Sequence, residues 1–160
     1  MKLRVRIALV AAALAALSIA PRPAGAAEPT PHGSRTGLGL ILGEPTGLSL
    51  KQGLGGAIAV DLAVGWSFRG GGALDVHADG LVHPFQLLRE GQGRLVAYFG
   101  LGPRIVARHD VAFAARIPVG LSALFDRSSL EFFVELVPEL VLYPGTDVIL
   151  EGGIGLRIYF

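Results

Sequence analysis

Acidic and imidazole side chains recur at alternate positions along one stretch: Asp75, His77, Asp79 and then His83. Carboxylates and imidazoles are divalent-metal donors, and this spacing would bring all of them to one face of a β-strand. Neighbours at i and i+2 of a strand stand ~7 Å apart, however, too far to share an ion unless a second strand contributes. No metal site and no cofactor are expected. The run Glu44-Pro45-Thr46-Gly47 has the look of a ligand loop, but Pro and Gly suit a tight turn and account for it without a ligand. The largest set of chemically capable residues is dispersed: Lys51, Asp61, Asp75, His77, Asp79, Arg104, Arg116, Glu131, Glu135, Glu139, Glu151 and Arg157. Brought together away from water, such groups pair rather than react, because an unpaired buried charge is costly.

The elements that must position these residues are strands. A period-two pattern runs through eight segments, roughly 36–43, 46–53, 57–68, 73–85, 94–106, 111–125, 130–143 and 147–160. The breaks are turn-like: Glu44-Pro45, 54–56, 69–72, 108–110, 126–129 and 144–146, with only 86–93 reading as a longer connection. Most segments reach ~12 residues, enough to cross a bilayer as a tilted strand, whereas a globular strand is usually ~5–6. The expected fold class is all-β, an eight-stranded antiparallel up-and-down transmembrane β-barrel.

Alternation says which face is which. In the third segment Ile58, Val60, Leu62, Val64, Trp66 and Phe68 share one parity, opposite Ala57, Ala59, Asp61, Ala63, Gly65 and Ser67. The seventh sets Leu130, Phe132, Val134, Leu136, Leu140 and Leu142 against Glu131, Glu135 and Glu139. A soluble barrel would need its charged faces to coat the outside, and here they are too sparse and Gly-rich to do so. The opposite arrangement, lipid-facing apolar residues around a polar interior, fits the pattern. With both termini at one end, Trp66, Phe68, Phe113 and Tyr143 gather at one rim and Phe85, Phe125, Phe132 and Phe160 at the other. Two aromatic girdles at the interfaces are what a membrane barrel requires.

Composition bounds the class. The chain has 160 residues, 23 of them Gly, with 51% apolar and 17% charged residues and no Cys. Disorder is excluded by the apolar fraction, and no disulfide framework, thiolate zinc site or lipoprotein anchor is available. Residues 1–26 are read as a cleaved signal peptide: a basic start with Lys2, Arg4 and Arg6, an apolar stretch from Ile7 to Ala20, and Ala24-Gly25-Ala26 as the cleavage site. Residues 27–35 read as a flexible lead-in and 36–160 as the barrel. Without Lys2, Arg4, Arg6 and Arg22, ten of the fourteen basic residues remain against thirteen acidic ones, a balance of −3 in place of +1. Nothing in that balance suggests nucleic acid.

The last strand carries a resemblance. Val148, Leu150, Ile154, Leu156, Ile158 and Phe160 share a parity and the chain ends on Phe160. This resembles the C-terminal signal of bacterial outer-membrane barrels, with Leu156, Ile158 and Phe160 as the assembly signal; Ile158 stands where that signal often has an aromatic. Strand count and terminal strand together resemble the small eight-stranded outer-membrane barrels of the OmpA and OmpX type. More narrowly, GLGLILGEPTGLSLK (Gly37–Lys51) and GGIGLRIYF (Gly152–Phe160) resemble a group of small barrels from spirochaetes and other Gram-negative bacteria. The resemblance implies Sec-type export, an outer-membrane location, periplasmic chaperones and the barrel assembly machinery as partners in biogenesis, outer-membrane lipid around the barrel, and a monomer. OmpA-type barrels have long outer loops, and the short connections here argue against an adhesin role. Some eight-stranded barrels modify lipid A with a His, a Ser and an acid, but no Ser lies at the right level beside His77 or His83.

Turn lengths give an expected register. A short turn at Arg127-Ser128 sets Arg116 across from Glu139, and a three-residue turn at 144–146 sets Glu139 across from Glu151. A three-residue turn at 70–72 sets His77 against Gly65 and Asp79 against Ala63. Arg116 is then the critical cation, shared by Glu139 and Glu151. Eight strands enclose a space that side chains can fill, so a wide pore is not expected. The function expected is that of a structural or envelope-maintenance barrel, not an enzyme, with a lumen closed by paired charges. The alternatives are a narrow ion channel and, behind it, a lipid A-modifying enzyme.

Overall fold

The structure is a computed structural model that describes residues 27–31 and 35–160. The expected signal peptide lies outside the described residues. Nine antiparallel strands follow one another: β1 (Thr36–Gly43), β2 (Thr46–Gly55), β3 (Ile58–Ser67), β4 (Ala73–Glu90), β5 (Gly93–Ala107), β6 (Val111–Arg116), β7 (Val119–Phe125), β8 (Leu130–Tyr143) and β9 (Asp147–Tyr159). Consecutive strands pair, except that β6 and β7 each pair with β5 and β8; β1 pairs with β9, and the sheet closes on itself as a ring. Closure removes the open edges that a sheet of exposed apolar strands would otherwise present.

The sixth expected strand is two strands, and the cause is Pro118. Proline has no N–H to give to a ladder, so pairing stops at Arg116 and restarts at Val119. The ring is not opened by this. Both β6 and β7 pair with β5 on one side and β8 on the other, so they occupy a single place in the ring, end to end. At the break Ile117 N donates to Pro138 O at 2.9 Å and Gly100 N donates to Pro118 O at 2.8 Å. The strand parity therefore passes through the break unchanged.

Two hairpins differ from the expected register by two residues. The last β3–β4 pair is Ser67↔Ala73, so Phe68–Gly72, containing a 3-10 turn at Arg69–Gly71, forms a five-residue connection. His77 consequently faces Ala63, Asp75 faces Gly65, and Asp79 faces Asp61. The β8–β9 ladder ends at Val141↔Asp147, so Glu151 faces Val137 and Glu139 faces Ile149, not Glu151. A slip of two residues preserves the face of every side chain, whereas a slip of one would reverse it. The third difference is the 86–93 connection. Strand β4 continues to Glu90, which pairs with Gly93 across a tight turn, and irregularities between Val82 and Phe85 and between Gln86 and Leu88 break its alternation.

Burial follows parity around the whole ring. Leu40, Leu62, Trp66, Leu101, Leu136, Leu156 and Phe160 are exposed on the outside, while Lys51, Glu131, Arg116 and Arg157 are almost completely buried inside. Interior space is divided between large and small side chains. A Cβ on Gly155 would sit 2.2 Å from the Phe133 ring, and one on Gly120 would sit 2.4 Å from the Tyr98 ring. The interior glycines are the gaps into which the rings fit. No helix among the described residues is long and apolar enough to cross a membrane.

Candidate functional site

The lumen holds every one of the dispersed charged residues, each within a strand and on its inward parity, and all are buried. Strand direction sorts them by height. Glu131 and Arg157 lie close to the end that carries both chain termini, here the terminal end; Asp75, Arg104, Glu139 and Glu151 lie toward the opposite, far end.

Toward the terminal end the charges balance and are fully enclosed. Lys51 Nζ meets Glu131 Oε1 at 2.9 Å and His83 Nε2 at 3.1 Å. Arg157 is shared: Nη2 meets Asp61 Oδ2 at 2.5 Å, Nη1 meets Glu131 Oε2 at 3.2 Å and Nε donates to Ser49 Oγ at 2.8 Å. Its guanidinium also lies over the Phe133 ring, 3.8 Å from the centroid. Ser49 Oγ donates to Asp61 Oδ1 at 3.0 Å, and Glu131 accepts further bonds from Ser122 Oγ at 2.5 Å and from the Tyr159 hydroxyl. Two cations and two carboxylates thus satisfy one another, with hydroxyls taking up the remaining lone pairs. That is the condition for a buried ion cluster to be tolerated.

The half nearer the far end is different. Arg104 is a hub: it meets Asp75 Oδ2 at 2.5 Å and Glu151 Oε2 at 2.7 Å, and donates to Glu139 as well. Arg116 makes longer contacts, to Asp79 Oδ2 at 3.3 Å, Glu135 Oε1 at 3.4 Å and Glu139 Oε1 at 3.8 Å. Two buried arginines therefore face Asp75, Asp79, Glu135, Glu139 and Glu151, with the half-exposed Arg69 adding a contact to Glu151 at 3.2 Å. Asp79 Oδ1, Glu139 Oε1, Glu151 Oε1, and Nε and Nη1 of Arg116 have no hydrogen-bond partner, and all lie in this region.

Arg116 is opposite Glu139 in the ladder, yet Glu139 bonds Arg104 and only approaches Arg116. The expected sharing of Arg116 between Glu139 and Glu151 is thus replaced by Arg104, because Arg104 on β5 points at both carboxylates from the next strand. The candidate metal donors do not converge either: His77 bonds Asp75 at 3.3 Å, Asp79 goes to Arg116, and His83 goes to Lys51 and Ala57 O. Among the described residues no three His, Asp or Glu side chains are placed to hold a metal. Glu44 Oε2 accepts from Phe68 N at 3.2 Å, which ties the β1–β2 turn to the β3–β4 turn.

Partners that sequence reasoning missed are the neutral ones, Tyr98, Ser49, Ser122 and Tyr159, and a further cation, Arg94. Tyr98 OH donates to Glu135 Oε2 at 3.0 Å. Arg94, buried at the terminal end, donates to Thr30 O at 2.8 Å, Glu28 O at 3.3 Å and Asp126 Oδ1 at 3.0 Å. Where a flexible lead-in is expected, Ala27, Pro29, Thr30 and Pro31 are buried, and Ala27 N donates to His83 O at 3.0 Å. This segment lies across the terminal end of the lumen.

At the far end the lumen opens into a cavity of about 250 Å³ bounded by Arg69, Arg104, Arg108, Glu139 and Glu151, with apolar walls. On the outside of the ring, Trp66, Phe68, Phe113 and Tyr143 are exposed around this same end. Phe125, Phe132 and Phe160 are exposed at the terminal end, with Phe85 there half-buried.

The architecture has a solved counterpart. The chain is similar to the N-terminal β-barrel domain of Pseudomonas aeruginosa OprF, with a TM-score of 0.56 at 16% identity, covering 82% of this chain and 99% of that one. At that identity the likeness is one of fold. No family model matches the chain and no curated protein matches it in sequence, so the narrower resemblance to the spirochaete barrels gains no support.

Proposed function

We propose that this chain is a small integral barrel of a Gram-negative outer membrane, exported by the Sec route, with a structural role in the envelope. The observation that carries the reading is the inversion of the ring: charged side chains buried within it, large apolar ones exposed on every strand outside. Water would penalise such a surface at roughly 25 cal/mol for each Å² of apolar area, while hydrocarbon would not. Aromatic residues at both ends of the apolar zone suit the two interfaces. The similarity to the OprF barrel domain supports the same reading.

The structural role rests on how the lumen is filled. Salt bridges and ring stacking cross it at the level of Arg157, and residues 27–31 lie over its terminal end. A barrel of this kind stiffens the membrane without offering a wide path. Leu156, Ile158 and Phe160 lie exposed on the outer parity, where assembly machinery and chaperones can read them before insertion. The barrel then stands as a monomer surrounded by outer-membrane lipid.

The test is refolding into lipid vesicles. The proposal expects a heat-modifiable band on an unboiled gel and no discrete conductance in a planar bilayer. A protein that stays soluble without lipid would refute the membrane reading, and stable unitary conductance would make the barrel a channel.

A further inference from the structure

The far-end cavity has a chemistry that the structural role does not use. Arg104, Glu139 and Glu151 lie deepest, whereas Arg108 follows the end of β5, four residues or ~13 Å of strand beyond Arg104. Between these levels the walls are apolar, formed by Ala112, Val141, Ile149 and their neighbours.

Both ends carry unused polar capacity. At the deep end Glu139 and Glu151 are almost fully buried; Glu139 Oε1 has no hydrogen-bond partner, and Glu151 Oε1 has only the 3.2 Å ion contact from the half-exposed Arg69. Around them the buried acids outnumber the buried arginines, so a positively charged donor is the group that region lacks. At the open end Arg108 is fixed by backbone carbonyls: Nε donates to Gly72 O at 3.1 Å and Nη2 donates to Arg69 O at 2.5 Å. Among the described residues Arg108 has no carboxylate partner, so its charge is oriented but not neutralised. An anion there would gain a charge-assisted bond.

We propose that this cavity binds a small zwitterion, an ammonium and a carboxylate separated by a short methylene chain. The ammonium sits on Glu139 and takes the place of Arg69 on Glu151, the methylenes lie against the apolar walls, and the carboxylate meets Arg108. An ammonium supplies three donors and no acceptor, which matches Glu139 Oε1, approached only at 3.8 Å by Arg116, and Glu151 Oε1, met from outside by the half-exposed Arg69. A bare metal ion would find apolar walls and no converging third carboxylate. A plain amine would leave Arg108 unused, and a plain anion would have to approach the surplus acids. Ligand sites commonly combine an apolar lining with a few placed polar groups of this kind.

The probe is ε-aminocaproate, with hexylammonium and hexanoate as its halves, titrated calorimetrically into protein refolded in detergent. Folding is read separately by heat-modifiability, so a correctly folded barrel that fails to bind sinks this inference alone. Saturable binding of ε-aminocaproate is expected, weakened about tenfold or more by Glu139→Gln and by Arg108→Ala. Ala112→Phe fills the cavity without touching a charge and should abolish it. The inference is overturned if folded wild type shows no saturable binding, or if Ala112→Phe binds normally. It is equally overturned if either half-probe binds as tightly as the zwitterion.

Discussion

Asp61 and Asp79 are directly opposed in the β3–β4 ladder, two carboxylates facing each other inside a closed ring. Like charges so placed repel, and what separates them is a division of partners. Asp61 is held by Arg157 and Ser49, with a guanidinium contact of 2.5 Å, whereas Asp79 has only the longer 3.3 Å contact to Arg116. Asp79 Oδ1 has no hydrogen-bond partner, and its region already carries more acids than bases.

The two positions should therefore respond oppositely to neutralisation. Asp61→Asn removes a well-bonded partner from buried Arg157 and should cost ~3–5 kcal/mol. Asp79→Asn relieves repulsion and should change stability by under about 1 kcal/mol, or raise it. Denaturant titration of vesicle-refolded protein measures both. Equal losses would mean that Asp79 is as well compensated as Asp61.

Arg104, rather than Arg116, should be the cation whose loss is felt most. Three carboxylates, Asp75, Glu139 and Glu151, converge on Arg104, and its contacts to Asp75 and Glu151 are 2.5 and 2.7 Å, whereas no contact of Arg116 is shorter than 3.3 Å. Arg104→Met should destabilise the barrel by several kcal/mol, at least ~1 kcal/mol more than Arg116→Met. The ladder pairing of Arg116 with Glu139 suggests a charge-reversal rescue, Arg116→Glu with Glu139→Arg. Such a rescue should fail, because the new arginine would stand beside Arg104. Recovery of wild-type stability in the double variant would show that the 3.8 Å approach is the dominant partner of Glu139.

The outer face is tested at adjacent residues of β8. Leu136 is exposed on the outside and Val137 is buried against the lumen opposite Glu151. Leu136→Arg should cost ~2–4 kcal/mol in a bilayer, since the charge meets hydrocarbon near mid-strand. Val137→Thr should cost less, because its hydroxyl joins a polar interior. A bilayer unfolding titration that ranks them the other way would overturn the assignment of faces.

Much of this was legible in the sequence because period two is insensitive to errors of two. The residues 139 and 151 were expected opposite each other and are not, yet both point inward, since the β8–β9 turn is longer by an even number. What alternation could not show is where it is interrupted. Irregular pairing between Val82 and Leu88 hid the end of β4, and Pro118 divided a strand that reads as continuous. Side-chain reach was also invisible: ladder position names Arg116 for Glu139, but the shorter contact to Glu139 comes from Arg104 one strand away. Nothing in the alternation marks Tyr98 and Tyr159 as partners of Glu135 and Glu131, the carboxylates to which their hydroxyls donate.

Phe160 closes the apolar parity of the last strand, and its N donates to Thr36 O at 3.0 Å, joining the two ends of the ring. Deleting it should lower the amount of folded barrel in the outer membrane while leaving detergent refolding largely intact. Quantitative gel analysis of membrane fractions makes the comparison. Unchanged membrane levels would remove Phe160 from the proposed assembly signal.

The segment 27–31 is held across the terminal end chiefly through one side chain. Buried Arg94 donates to the carbonyls of Glu28 and Thr30 and to Asp126, while Gly53 N donates to Arg35 O at 2.7 Å. Thr30 packs against Gly53, where a Cβ would come within 3.1 Å of its methyl, so the fit depends on the segment staying seated. Hydrogen bonds to a charged group contribute ~1.5–3 kcal/mol each, enough that losing the guanidinium should shift the segment toward an unseated state. Thr30 is 2% exposed, so a Thr30→Cys thiol should react slowly with a polar maleimide in the intact barrel. Adding Arg94→Leu should raise that rate by about tenfold or more, with the barrel still heat-modifiable, because a 1.4 kcal/mol change in the opening equilibrium is already a factor of ten. Equal, fast labelling in both proteins would show that the segment is not seated at all. Equal, slow labelling would assign its retention to the contacts with His83 and Gly53 instead of Arg94.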